Sequence, residues 1–264
     1  MFRQAECYDT TMESAHLVKV FSILEAMAGK PDGVSLNELA SLVGLPKSTA
    51  HRLLKTLCTL GYAANCGGGI YRQTGMIKRL ALGANDPYWV SMSDPIMRRL
   101  NKQTGETINL GILRFEKVFY LHVIETSKTL RRAVIAQMSD PCFSTALGRA
   151  IVAFLSVERQ EFLLRHATIE KRTPKTVVEE AEIKKILKKV AKEGLAFEED
   201  QTDLGVSCIG APVFDEEGVV AAISLSAPSV RMNEPGVKSK WQELIRDGAD
   251  AISSVLKAKQ EQAT

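Results

Sequence analysis

Between Glu38 and Asp86 this 264-residue chain carries no acidic side chain, while six basic ones fall in that interval. Lys47, Ser48, Thr49, His51, Arg52 and Lys55 lie within nine consecutive positions of it. That set supplies hydrogen-bond donors for base edges and positive charge for phosphates, the two things a DNA-reading helix must present. Ser48, Thr49 and Arg52 are the candidates for base edges. Lys47, Lys55 and, further along, Arg72 are the candidates for phosphate, with His51 on the same outer face. The competing reading is an ordinary solvated face on a helical hairpin. A net charge of +3 does not separate the two, but its distribution does. Residues 1–80 hold nine basic against six acidic residues, and the rest of the chain has 25 of each. Charge gathered in one segment of a neutral chain is the footprint of a polyanion-binding module.

Catalytic and metal chemistry find less support. Cys208 with His122 as base is the one nucleophile pairing to consider, and no third group or flanking motif orients it. No His, Cys or Asp cluster has metal-ligand spacing, and no cofactor is expected. The five cysteines (Cys7, Cys58, Cys66, Cys142, Cys208) are odd in number and contain no C-x-x-C pair, which argues for buried thiols in a reducing compartment. The N-terminus has no apolar stretch of a secretory signal, and no run approaches a membrane span. A cytoplasmic, non-enzymatic protein without a membrane partner is expected.

The elements that must hold the basic set are legible by period and punctuation. Ser14 is placed to cap a helix with the stripe Leu17, Val20, Phe21, Leu24 and Met27 or Ala28. Ser35 and Glu38 form a capping box before Leu36, Leu39, Ala40 and Val43. Gly44 supplies a turn, and Pro46 opens a third helix with the inner stripe Ala50, Leu53, Leu54, Leu57 and Leu60. Ala40, Gly44, Ala50 and Leu53 are small or apolar where two helices must cross closely. Strand-like pieces at Tyr62–Asn65 and Ile70–Gln73 then flank a triple glycine. Helix, helix, turn, helix, hairpin is the order of a winged helix-turn-helix.

Two periodic pieces broken at Asn85-Asp86-Pro87 follow, read as a linker helix and the first helix of a second domain. Beyond Thr107 the strand candidates are "TINLGILR", "VFYLHVIE", "RRAVIAQ", "GVSCIGAPVFD" and "VVAAISLSA". Helices are expected at "STALGRAIVAFLS", "VERQEFLLRHA", "EEAEIKKILKKVAKEG" and "KSKWQELIRDGADAISSVLKAKQE". Hairpins with flanking helices argue an α+β domain, in the broad α/β class, on an antiparallel sheet. The expected organisation is a DNA-binding domain over 1–75, a linker helix over 76–90 and an effector domain over 91–264.

"SLNELASLVGLPKSTAHRLLKTLCTLGY", the glycine wing and "YRQTGMIKRLALG" resemble the N-terminal domain of the IclR family of bacterial transcriptional regulators. "STALGRAIVAFL", "RTPKTV" and "GLAFEEDQTDLGVSCIGAPVFDEEGVVAAISLSAP" resemble that family's effector domain in the same order. The resemblance covers about residues 14–258. It implies a GAF-like sensor domain, a homodimer or homotetramer, and repression or activation at a palindromic operator. A histidine often precedes the Thr-Ala-Leu-Gly motif in this family, whereas Phe143 stands there in this chain.

An effector site is expected to be apolar with a few converging polar groups. Ser144 and Thr145 at a helix start offer hydroxyls beside unpaired N–H groups, a seat for a carboxylate, and Gly148 lets a neighbour approach. Glu198 and Cys208 lie where the resemblance puts a ligand-lining strand. Ser224 and Ser226 share one sheet face, and Asn109 is a further candidate. His122, alone on an apolar strand, reads as a satisfied core or edge residue. The resulting expectation is a regulator, more readily a repressor, of a catabolic operon, governed by a small organic or sugar acid. Two other readings compete: a second domain that only oligomerises, or an adaptor whose basic hairpin meets an acidic protein.

Overall fold

The computed structural model describes residues 15–77 and 87–261. The chain forms two compact units that divide between Ala81 and Leu82. Ser14, the expected cap, and most of the expected linker helix lie outside the described residues.

The first unit runs α1 (Ala15–Ala28), β1 (Val34–Ser35), α2 (Leu36–Leu42), α3 (Lys47–Leu60), β2 (Ala63–Asn65) and β3 (Ile70–Gln73). The capping box forms at its Ser35 end: the hydroxyl accepts from the Glu38 N–H at 3.2 Å. Pro46 occupies the cap position of α3 rather than its first turn. Gly44, at φ +62°, makes the turn between α2 and α3 in a backbone region that L side chains rarely adopt. Leu39, Leu53, Leu54 and Leu57 are buried against Ile23, Met27 and Val34, and Ala40 and Ala50 are buried as well. The wing is a three-stranded sheet of order β1-β3-β2, because Val34 and Ser35 pair with Tyr71 and Ile70. Two residues between a turn and a capping box carry too little pattern for that first strand to be read locally.

The expected stripe of α1 needs correction. Ile23 and Met27 are buried and Val20 and Leu24 half-buried, but Leu17, Val18 and Phe21 are exposed. Apolar residues occur on more than one side of "AHLVKVFSILEAMA", so the 3.6 period admits several inward faces and packing chooses among them.

The second unit runs α4 (Pro87–Thr104), β4 (Thr107–Arg114), β5 (Lys117–Ile124), β6 (Ser139–Pro141), α5 (Ala146–Val152) and α6 (Val157–His166). It continues with α7 (Glu180–Glu193), β7 (Ala196–Glu199), β8 (Val206–Asp215), β9 (Gly218–Pro228), α8 (Ser229–Met232) and α9 (Val237–Glu261). All pairings in the six-stranded sheet, order β6-β5-β4-β9-β8-β7, are antiparallel. The expected strand in "RRAVIAQ" is irregular chain, and Ser139–Pro141 forms the edge strand instead.

Alternation along the strands sorts the two cores. Ile108, Leu110, Ile209, Ala211, Ile223 and Leu225 face α4 and α9, with Met97, Leu100, Trp241 and Ile245. Val118, Tyr120, Cys208 and Ala222 face α5, α6 and α7, with Leu147, Ile151, Leu163 and Leu187. α5 lies unusually close to what surrounds it. A Cβ on Gly210 would stand 2.7 Å from the Ala146 carbonyl oxygen, and one on Gly148 would stand 2.1 Å from that of Cys142.

Candidate nucleic-acid interface and effector site

On α3 the apolar stripe is buried and the opposite side is open. Lys47, Ser48, His51, Arg52 and Lys55 are exposed and Thr49 is half-buried. Lys47, His51 and Lys55 recur every four residues, as do Ser48 and Arg52, so the set forms one continuous outer face. Among the described residues none of these side chains has an ion-pair partner. Pro46 provides no side-chain cap, which leaves the first N–H groups of α3 at the helix surface beside Lys47 and Ser48. A helix N-terminus with free N–H groups and adjoining cations suits a phosphate. Arg72 is exposed on β3. At the wing tip Gly67, Gly68 and Gly69 all have positive φ, and no atom lies within 4 Å of where their Cβ atoms would be. That tip can approach a backbone closely.

In the second unit the sheet register gathers the effector candidates. Asn109 pairs with Ser224, Cys208 with Ser226, and Glu198 with Cys208, so all five side chains share the face toward α5. Asn109 Nδ2 donates to Ser224 Oγ at 3.3 Å and Ser226 Oγ at 3.1 Å, and Cys208 Sγ lies 3.2 Å from Ser226 Oγ. Glu198 Oε1 accepts from the N–H groups of Gln201 (2.6 Å) and Thr202 (3.0 Å). Asn109 Oδ1, Ser144 Oγ and Glu198 Oε2 are buried without a hydrogen-bond partner. Buried polar atoms are nearly always paired, so three orphans among the candidate residues mark unfilled recognition capacity.

Burial pushes the Glu198 carboxyl up, against the two N–H donors, the Cys208 thiol and Arg149, which favour the charged form. Burial likewise pushes the Cys208 thiol well up, with Glu198 adding to it. A thiol in that state is a poor nucleophile. His122 pairs with Leu110 and therefore faces α4, where its Nε2 lies 2.8 Å from Asp94 Oδ1. Cys208 and His122 thus occupy opposite faces of the sheet and do not form a catalytic pair.

Thr145, and not Ser144, caps α5: its hydroxyl accepts from the Gly148 N–H at 3.1 Å. The Ser144 carbonyl accepts from Thr202 Oγ1 at 3.0 Å, tying the start of α5 to the β7–β8 loop. Gly148 is needed there for packing, since any side chain would enter the Cys142 backbone. A shallow surface pocket lies beside Ser144, lined also by Glu116, Cys142, Phe143, Ile169 and Glu170. It does not include Glu198, Cys208 or the two serines. Among the described residues no group of three or more His, Cys, Asp or Glu could hold a metal ion. No helix among them is long and apolar enough to cross a membrane.

Several polar residues at this end of the sheet escape a linear reading. Arg132 joins Asp140 (2.8 Å), Asp203 (2.6 Å) and the Tyr120 hydroxyl (3.1 Å), while Arg172 reaches Asp140 at 2.8 Å. Burial works against the charge on Asp140, yet the two arginines and the Tyr120 hydrogen bond hold it below the usual carboxylate range. Three loops are thereby tied together. Arg149 is buried in α5, and its one local signal is a charged residue inside "ALGRAIV".

The C-terminal model of the bacterial transcriptional regulator IclR matches residues 89–254, and the IclR helix-turn-helix model matches residues 16–65. This chain belongs to the IclR family of bacterial transcriptional regulators. It is 32% identical to the HTH-type transcriptional regulator KdgR of Escherichia coli over 91% of this chain and 92% of that one. The transcriptional repressor IclR of the same organism is 30% identical, over 84% and 82% of the two chains. An IclR homologue of Microbacterium hydrocarbonoxydans, solved in complex with 4-hydroxybenzoate, shares the fold at a TM-score of 0.60. The two structures are 21% identical, covering 92% of this chain and 100% of that one. The winged unit is the DNA-binding element of this IclR-family regulator, and the α+β unit is the family's C-terminal domain.

Proposed function

We propose that this regulator represses a catabolic operon and that a small organic or sugar acid, bound on the α5-facing side of the sheet, relieves or modifies repression. The observation that carries this is the pair of orphaned buried acceptors Asn109 Oδ1 and Glu198 Oε2 beside Ser224, Ser226 and Cys208. A third orphan, Ser144 Oγ, lies at the start of α5, where Thr202 ties the Ser144 carbonyl to the Glu198 loop. Two of these orphans accept only, so the fitting ligand brings hydroxyl donors as well as its acid group. The relatives' names support the regulatory half of the reading, and the 4-hydroxybenzoate complex of one homologue supports an acid effector.

On this reading Arg52, Ser48 and Thr49 read bases, while Lys47, Lys55, Arg72 and the open start of α3 hold phosphates. His51 stands between these two groups. The exposed apolar residues Leu17, Val18 and Phe21 of α1 favour self-association, as expected of a dimer or tetramer on a palindromic operator.

Two titrations test it. Gel shifts with the DNA flanking the gene should show a palindromic fragment retained over random duplex. Calorimetry against pyruvate, D-gluconate, D-galacturonate and 4-hydroxybenzoate should then show saturable binding by at least one acid that changes operator affinity. Tight operator binding with no response to any acid would favour a second domain that only oligomerises. Recovery of a chemically altered acid after incubation would refute the purely regulatory reading.

A further inference from the structure

Among the fully buried side chains of the described residues, Arg149 is the largest. It extends from an otherwise apolar helix, between Leu147 and Ile151, both buried. Its Nε donates to the Phe143 carbonyl at 2.7 Å, Nη1 to the Phe197 carbonyl at 3.1 Å, and Nη2 to Gln201 Oε1 at 2.6 Å. All three acceptors are neutral, so they account for the donors of the guanidinium but not for its charge.

A buried charge persists when an opposite charge answers it. The opposite charge here is Glu198, reached through Gln201 rather than by a direct ion pair. The Gln201 side chain accepts from Arg149, and its backbone N–H donates to Glu198 Oε1 at 2.6 Å. Burial lowers Arg149 to about 10, and Glu198 opposes that fall. The groups facing Glu198 are few: Arg149 from α5, Cys208 from β8, and the N–H groups of Gln201 and Thr202. Behind Cys208 stand Arg132 and, from β5, Tyr120, both interacting with the thiol.

We propose that Arg149 is a positioning residue of the effector site. It adds to the Gln201 and Thr202 N–H groups and the Cys208 thiol in favouring the Glu198 carboxylate in a buried setting and, through Gln201, holds one of its oxygens so that the other can accept a hydroxyl of the effector. The role of the free oxygen rests on the effector-site reading above; the control of Glu198 by Arg149 does not.

The test therefore uses the full-length protein without effector. Melting temperatures of wild type and Glu198→Gln are compared from pH 5 to 9, and the same pair is made with Arg149→Lys and with Arg149→Met. Because burial raises Glu198, its ionisation opposes folding. The advantage of glutamine thus grows as pH rises through the folded-state titration and then levels off. With Arg149→Lys the levelling comes at the wild-type pH. With Arg149→Met it moves to higher pH. An unmoved profile in Arg149→Met, or an equal displacement in Arg149→Lys, overturns the proposal. If Arg149→Met does not fold, Arg149→Met with Glu198→Gln decides: recovery of a cooperative melt supports the coupling, and continued failure overturns it. Absence of effector binding in the earlier titrations leaves this outcome untouched.

Discussion

Arg52 and Lys55 sit one turn apart on the same exposed face yet should fail in different ways. Arg52→Ala should cost about 1–3 kcal/mol at the operator and relax sequence preference, as loss of a bidentate base contact does. Lys55→Ala should weaken operator and random duplex alike and reduce the salt slope by about 1. Gel shifts on both duplexes at several salt concentrations separate the two, and a sequence-selective loss for Lys55→Ala would contradict its phosphate role. In the second unit Ser224→Ala removes one acceptor of the Asn109 amide. It should blunt the response to the effector while leaving operator affinity intact. An undiminished response would move the ligand away from this face.

At the scale of elements, two contacts dominate what can be changed. α5 is pressed so tightly on the chain before it that Gly148→Ala would drive a methyl group into the Cys142 backbone. Overpacking against backbone has no cheap relaxation, and a loss of about 3 kcal/mol or more is expected in urea unfolding of the second unit. A stability within experimental error of wild type would show that α5 can slide. α1 presents the opposite case, with Leu17 59% and Phe21 61% exposed one turn apart. Phe21→Glu should leave the unit folded, since Ile23 and Met27 hold its core, but weaken self-association in sedimentation. Operator affinity should fall in parallel. An unchanged oligomer would assign that face to some other partner.

For the whole molecule, regulation requires that the effector bind the operator-bound and free states with different affinity. The factor by which the acid changes operator affinity must then equal the factor by which operator DNA changes affinity for the acid. Couplings of this kind are typically about 5–150-fold, well within reach of paired calorimetric titrations. Unequal factors under matched conditions would mean that a third equilibrium, such as a change of oligomer, is linked to both.

Much of this protein follows from local pattern alone. The capping box at Ser35, the turn at Gly44, the inner stripe of α3 and the alternation of Ser224 and Ser226 with Ile223 and Leu225 in β9 are periodic or punctuated features that neighbours in sequence impose. The outer face of α3 follows with them, because burying one stripe of a helix exposes the other. So does the common side of Ser224 and Ser226, since side chains two apart on a strand point the same way. Other features were decided by packing between distant segments. Which face α1 turns inward depended on the partners of Ile23 and Met27. "RRAVIAQ" has strand composition, but Arg132 is engaged by Asp140, Asp203 and Tyr120, and the chain around it runs irregularly. The place of Arg149 behind the face proposed for the effector needed α5, β7 and the β7–β8 loop assembled together. Period and propensity report what a segment prefers alone, whereas a buried charge is tolerated only where the fold brings donors, acceptors and an opposite charge to one point.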